Sequence, residues 1–156
     1  MSRPPSRALD VLGTLVRLGI AAVWLVSGGL KVTDPGQTRV AVDAYRVLPD
    51  GLVGPVATVL PLVELALGTV LLVGAFTRWA AVVSLVLLAA LTAGVIQAWA
   101  RGLTIDCGCF GGGGAVDAGA TRYPQELARD TGFLALAVWL LVRPATALGV
   151  DGWLRR

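Results

Sequence analysis

The chain has 156 residues, 56% of them hydrophobic and only 15% charged, with a formal net charge of +3 and a mean hydropathy of +0.76. A water-soluble domain of this length needs far more polar surface, so the apolar excess must face lipid. The charges lie scattered at segment ends, which argues against nucleic acid as a partner, and the absence of histidine removes histidine bases, histidine haem ligands and histidine–zinc sites.

In chain order, the first predicted span covers residues 9–30. Arg3 and Arg7 ahead of it give the outline of a secretion signal. The apolar run is longer than a usual signal core and no small-x-small cleavage site follows, so an uncleaved signal-anchor is expected. The span contains Arg17 and stops at Ser27-Gly28-Gly29, followed by Lys31, Asp34 and Pro35. A loop over residues 33–54 then holds a predicted amphipathic helix, with Val40, Ala41, Ala44, Tyr45 and Leu48 at helical spacing. This helix is expected to lie flat at the interface with Tyr45 as its anchor.

The second span covers 55–76, with Pro61 and Glu64 inside it, and a link of only Thr77 and Arg78 leads to the third, 79–100. So short a link predicts an antiparallel hairpin of these two. A glycine-dense loop over 101–123 carries the chain's only cysteines, Cys107 and Cys109. The fourth span is expected over 124–142, with Pro124 in the first turn and Glu126 at the positive end of the helix dipole. The fold class is therefore an all-α integral membrane four-helix bundle, a single domain with an interfacial helix in its first long loop.

Four spans put both termini on one side and both long loops on the other. Basic residues divide evenly between the two sides, six against six. The decision falls to Arg3 and Arg7, since the first helix usually sets orientation. Cytoplasmic termini and an extracytoplasmic cysteine loop are expected. Trp24, Trp79, Trp99, Trp139 and Trp153 read as an interfacial belt.

The sharpest chemical feature is Cys107-Gly108-Cys109. Two cysteines separated by one glycine close only a tight ring, a poor staple and a reasonable exchange site. The competing readings are two inert thiols packed as small hydrophobes and half of a thiolate metal site shared between subunits. The glycine run after the pair argues against the first, because such a loop offers no apolar pocket around the thiols.

Glu64 near mid-span calls for a buried partner. Counting residues inward from each end places Arg17 at a similar depth, so an Arg17–Glu64 ion pair that fixes helix register is expected in preference to a proton relay. Lys31 with Asp34, and Arg129 with Asp130, read as snorkelling span-end anchors, from which one cation could also lower a thiol pKa.

Read together, Ser27-Gly28-Gly29-Leu30-Lys31 with Asp34-Pro35, Ala44-Tyr45-Arg46-Val47-Leu48-Pro49, Pro61-Leu62-Val63-Glu64-Leu65-Ala66-Leu67-Gly68, Cys107-Gly108-Cys109-Phe110-Gly111 and Arg129-Asp130 resemble the MauE (methylamine-utilisation membrane protein E) family, within the DoxX-like four-helix proteins. The resemblance covers residues 8–143. It implies a plasma-membrane protein of extracytoplasmic redox handling that helps mature the disulfide-rich small subunit of methylamine dehydrogenase beside a thioredoxin-like partner. The substrate does not transfer, because many MauE-like proteins occur without methylamine metabolism. What carries over is the cysteine pair, Glu64 and the charged span ends.

No cofactor motif is present. A quinone fits the setting by analogy with four-helix quinone-linked disulfide oxidases, but those space their cysteines by two residues and hold a second pair, which this chain lacks. The expected function is thiol–disulfide exchange through Cys107 and Cys109, with Glu64, Arg17, Lys31, Asp34, Arg129 and Asp130 in support and the bilayer and an exported redox protein as partners. The alternatives are a membrane scaffold for a redox enzyme and a small proton-coupled transporter using Glu64. An oligomer is compatible with all three.

Overall fold

The computed structural model describes residues 7–144, 146 and 148–153, with the side chains of Arg7, Gly152 and Trp153 outside the description. Arg3 therefore lies outside the described residues, as does the side-chain environment of Trp153. The order is α1 (Arg7–Thr33), α2 (Pro35–Ala44), α3 (Asp50–Val73), α4 (Thr77–Ala100), β1 (Ile105–Asp106), β2 (Gly114–Ala115), a 3-10 turn (Ala118–Ala120), α5 (Tyr123–Val142) and α6 (Val150–Trp153).

Three helices, α1, α3 and α4, are long and apolar enough to cross a membrane. Helix α5 has 20 residues, but Glu126, Arg129 and Asp130 in its first turns keep it below the apolarity of the others. Exposed Leu15, Val59, Val86 and Val142 show that the outward faces stay apolar. That pattern suits lipid and would be costly in water.

The long helices pair off. Helix α3 packs along α1, and α5 packs along α4 and more lightly along α1. Two close approaches fix the α1–α3 seam. A Cβ on Gly28 would stand 2.9 Å from the Pro61 carbonyl and 3.1 Å from Glu64 Cβ, and one on Gly68 would stand 2.6 Å from Leu25. Small residues at a seam are how apolar helices gain contact in lipid. Where the four helices meet, Ile20, Trp24, Leu71, Leu88 and Leu140 fill the core around Ala21, Ala80, Ala81 and Ala137.

Several sequence expectations change here. Trp24 is not in a belt: it is 1% exposed, and its Nε1 donates to Ser84 Oγ at 2.9 Å, tying α1 to α4. Trp79 and Trp99 are exposed, as a belt requires, while Trp139 Nε1 is buried without a partner. The link between α3 and α4 reverses the chain through left-handed Gly74 and Phe76, yet those helices pack mainly on other partners. Helix α3 also starts at Asp50, a turn earlier than its apolar run, with Pro49 as its N-cap.

The amphipathic helix exists but ends at Ala44, because Arg46 turns to a φ of 50° and removes Leu48 from the pattern. Its buried face is Thr38 and Ala41, and Val40 points outward. Asp34 is exposed just past the end of α1. It is the N-cap of α2, its Oδ1 accepting from Gln37 N at 3.0 Å, with Pro35 in the first turn.

Candidate thiol site at the hairpin end

The cysteine loop is a hairpin in miniature. Ile105 pairs with Ala115 and Asp106 with Gly114, antiparallel, so residues 107–113 form its tip. Gly108, Gly111, Gly112, Gly113 and Gly114 all have φ between 66° and 101°, a region that side-chain-bearing residues rarely adopt. The glycines also permit contact. A Cβ on Gly113 would stand 2.6 Å from Ala41 Cβ, and one on Gly108 2.9 Å from it, so the tip lies directly on α2. Gln37 Nε2 donates to Gly113 O at 2.6 Å and Asp106 Oδ2 accepts from Gly113 N at 3.2 Å. The glycine loop therefore does enclose the thiols, against the sequence expectation. Cys107 is buried with Val95, Ala98, Ile105 and Tyr123, and Cys109 is half-buried.

Both cysteines are free thiols, and they differ. Cys107 Sγ accepts from Cys109 N at 3.3 Å and lies 3.6 Å from Arg129 Nη2. Arg129 is aimed by Asp130, whose Oδ1 accepts from its Nε at 3.0 Å and its Nη2 at 2.9 Å, and it sits 5.0 Å over the Phe110 ring. The hydrogen bond from the Cys109 thiol, with help from Cys109 N–H and Arg129 and against burial, holds the Cys107 thiol below its usual range. The same hydrogen bond, together with burial, pushes Cys109 well above it. Of the two, Cys107 is therefore the thiol that ionises first.

The loop is also held by its carbonyls. Tyr45 Oη donates to Cys107 O at 3.0 Å, so this tyrosine anchors the thiol loop instead of the interface, and burial raises its pKa so that it remains a donor. Ser27 Oγ lies 2.6 Å from Cys109 O, an acceptor for its proton. On its other side Ser27 accepts from Lys31 Nζ at 2.9 Å and lies 3.1 Å from Glu64 Oε2. Lys31 Nζ in turn lies 2.5 Å from Glu64 Oε1, with Glu64 fully buried and Lys31 8% exposed.

The buried glutamate is thus paired with Lys31 and not with Arg17. The reason is helix stagger. The N-terminal end of α3 stands beyond the end of α1, alongside α2, so Glu64 is level with Gly28, about 7 Å from the end of α1 at 1.5 Å per residue. Depth counted from the apolar run of the second span placed it too deep. Arg17 lies at the far end, 2% exposed, donating Nη1 to Leu71 O at 2.5 Å and Leu72 O at 2.9 Å, and Nη2 to Leu148 O. It caps the C-terminus of α3, where unpaired carbonyls and the helix dipole both favour a cation.

Of the sequence-derived candidates, Cys107, Cys109, Glu64, Lys31, Arg129 and Asp130 come together at one end, while Arg17 and Asp34 do other work. The model of the family described as "Methylamine utilisation protein MauE" matches residues 9–143. The chain belongs to the MauE family. No curated protein and no solved structure gives a match. All of these candidates lie inside the MauE match, and with its apolar helices this MauE chain is a membrane protein.

Sequence reasoning missed Ser27, Tyr45, Asp106 and Glu126 as site residues. The signal for Asp106 was an acid beside Cys107, and Glu126 read only as an acid in the first turn of a helix. Asp106, Cys107 and Glu126 bring three metal-capable donors within 4.8 Å of one another, and Glu126 Oε2 is buried without a partner. Arg129 faces the same thiol and opposes a cation there, so no metal is assigned to this MauE site.

Proposed function

We propose that this chain is a plasma-membrane thiol–disulfide exchange protein in which Cys107 attacks and Cys109 resolves. The supporting observation is the pairing of two free thiols at a constrained hairpin tip, with the guanidinium of Arg129 on Cys107. In a cycle with a partner disulfide, the Cys107 thiolate attacks one partner sulfur, the partner's S–S bond breaks, and its other sulfur leaves as a thiolate. Cys109 then gives up its proton and displaces the partner, closing the 107–109 disulfide and releasing a dithiol. The reverse sequence oxidises a partner dithiol. A polar cavity of about 320 Å³ lined by Cys107, Cys109, Arg122, Gln125 and Arg129 gives the thiols a route to such a protein.

In this reading α5 crosses the membrane as a fourth span in one four-helix domain. The termini are cytoplasmic and the thiol end extracytoplasmic, where a disulfide persists and a thioredoxin-like protein is the natural partner. Cys109→Ser should trap a mixed disulfide that reductant releases, because its resolving thiol is gone. Cys107→Ser should trap far less, and both variants should reach the membrane in normal amount. Full activity in the double serine variant would overturn the exchange role and favour a scaffold that recruits a redox enzyme.

A further inference from the structure

The dithiol has two faces. The polar cavity lies on one. On the other is a second cavity of about 320 Å³, walled by Leu60 of α3, Leu87, Ala90 and Leu91 of α4 and Ala41 of α2, and lined also by Cys107, Cys109 and Lys31. It lies where α3 and α4, weakly packed on each other, leave room. That volume is at the lower end of the range for small-molecule sites, which are typically apolar with a few convergent polar groups.

An occupant of such a space must be lipid-soluble, because α3 and α4, which form part of its wall, are apolar enough to span a membrane and α2 and the loop after it add Ala41, Val42, Val47 and Leu48. One that touches the thiols productively must take two electrons and two protons, the difference between a dithiol and a disulfide. A quinone is the chemical class that combines these properties. Lys31 supplies the polar end. Two of its three N–H groups go to Ser27 and Glu64, and the third is the donor left for a carbonyl oxygen in the cavity.

We infer that the apolar cavity binds a membrane quinone and that the Cys107–Cys109 pair passes electrons to it. Two S–H bonds break, one S–S bond forms, and two electrons with two protons convert the quinone to a hydroquinone. The disulfide is then regenerated without a second cysteine pair. This rests on the exchange reading, adding to it the oxidant and the side from which it arrives.

The test uses the full chain in lipid nanodiscs, reduced and freed of reductant, with decylubiquinone as the probe. Loss of quinone absorbance should match loss of free thiols one quinone to two thiols. Ala90→Phe, at an exposed position on the cavity wall, should slow that reaction at least tenfold while Cys109→Ser in the same background still traps a thioredoxin-like protein. Leu60→Phe provides a second block should the first not fold. Trapping without quinone reduction, or reduction unaffected by both fillers, overturns the quinone site and leaves exchange standing. Quinone reduction without any trapping overturns protein exchange and leaves the cavity assignment intact.

Discussion

Among its described side chains helix α1 buries two cations, Lys31 near its C-terminus and Arg17 nearer its middle, level with the end of α3, and the molecule uses them differently. Arg17 gives its donors to the carbonyls that finish α3, near where Asp151 accepts from the N–H groups of Phe76 and Thr77 to cap α4. Each charge there meets the end of a helix, where the backbone itself carries the opposite partial charge. Lys31 faces a full carboxylate, Glu64, and through Ser27 that pair reaches the backbone of Cys109. A fork of donors suits an arginine at orphan carbonyls, and a compact ammonium suits a single carboxylate. One end is built for architecture. The other couples a buried charge to a reactive loop.

The largest effect should come from splitting the ion pair. Lys31→Met leaves Glu64 without its cation in a fully buried position, at a cost of about 3–5 kcal/mol, and the double change Lys31→Met with Glu64→Leu should recover most of it. Unfolding in mixed detergent micelles measures both. If the single change is silent, the pair is not dry and the contrast between the two ends weakens.

At the other end Arg17→Met should cost about 2–3 kcal/mol, since buried carbonyls lose their donors. It should leave the rate of thiol alkylation unchanged. Slower or faster alkylation in that variant would mean the two ends communicate, and the division drawn here would be wrong.

The smallest effect sharpens the reactive end. Cys107 has a lowered pKa, so its thiolate, and hence its alkylation rate, should reach a plateau at a pH below that of an ordinary thiol. Arg129→Gln removes a group that favours the thiolate. The midpoint of the rate–pH curve should therefore move upward, and by less than loss of the Cys109 hydrogen bond would move it, since that bond is the larger cause. A midpoint that stays fixed would show that Arg129 contributes nothing to the thiolate.

What the sequence made legible was what repeats or what is rare. Long apolar runs gave α1, α3 and α4, and two cysteines and one glutamate inside an apolar span, in a chain without histidine, located the chemistry. What it hid was relative height. Residue counts measure depth along one helix and carry no information about how far its neighbour is shifted, so Glu64 was matched with the wrong cation. Helix α2 was legible as an amphipathic helix, but its inward face of a threonine and an alanine, which receives a loop, was not. Tyr45 read as an amphipathic anchor because its aromatic body and polar tip suit an interface as well as they suit a buried carbonyl.

Gly28 carries no chemistry, yet it decides whether the chemistry assembles. Its missing side chain lets the Pro61 carbonyl and Glu64 come within contact of α1, beside Ser27. Even a methyl group there is a wedge against backbone atoms that cannot swing aside, and it would lift the carboxylate away from its ammonium. A survey of this protein by random substitution, scored only for whether cells tolerate the change, would rank position 28 alongside the cysteines. Intolerance would then mark a point of assembly as strongly as a reacting atom. Separating the two requires asking whether the surviving protein is scarce or merely inert.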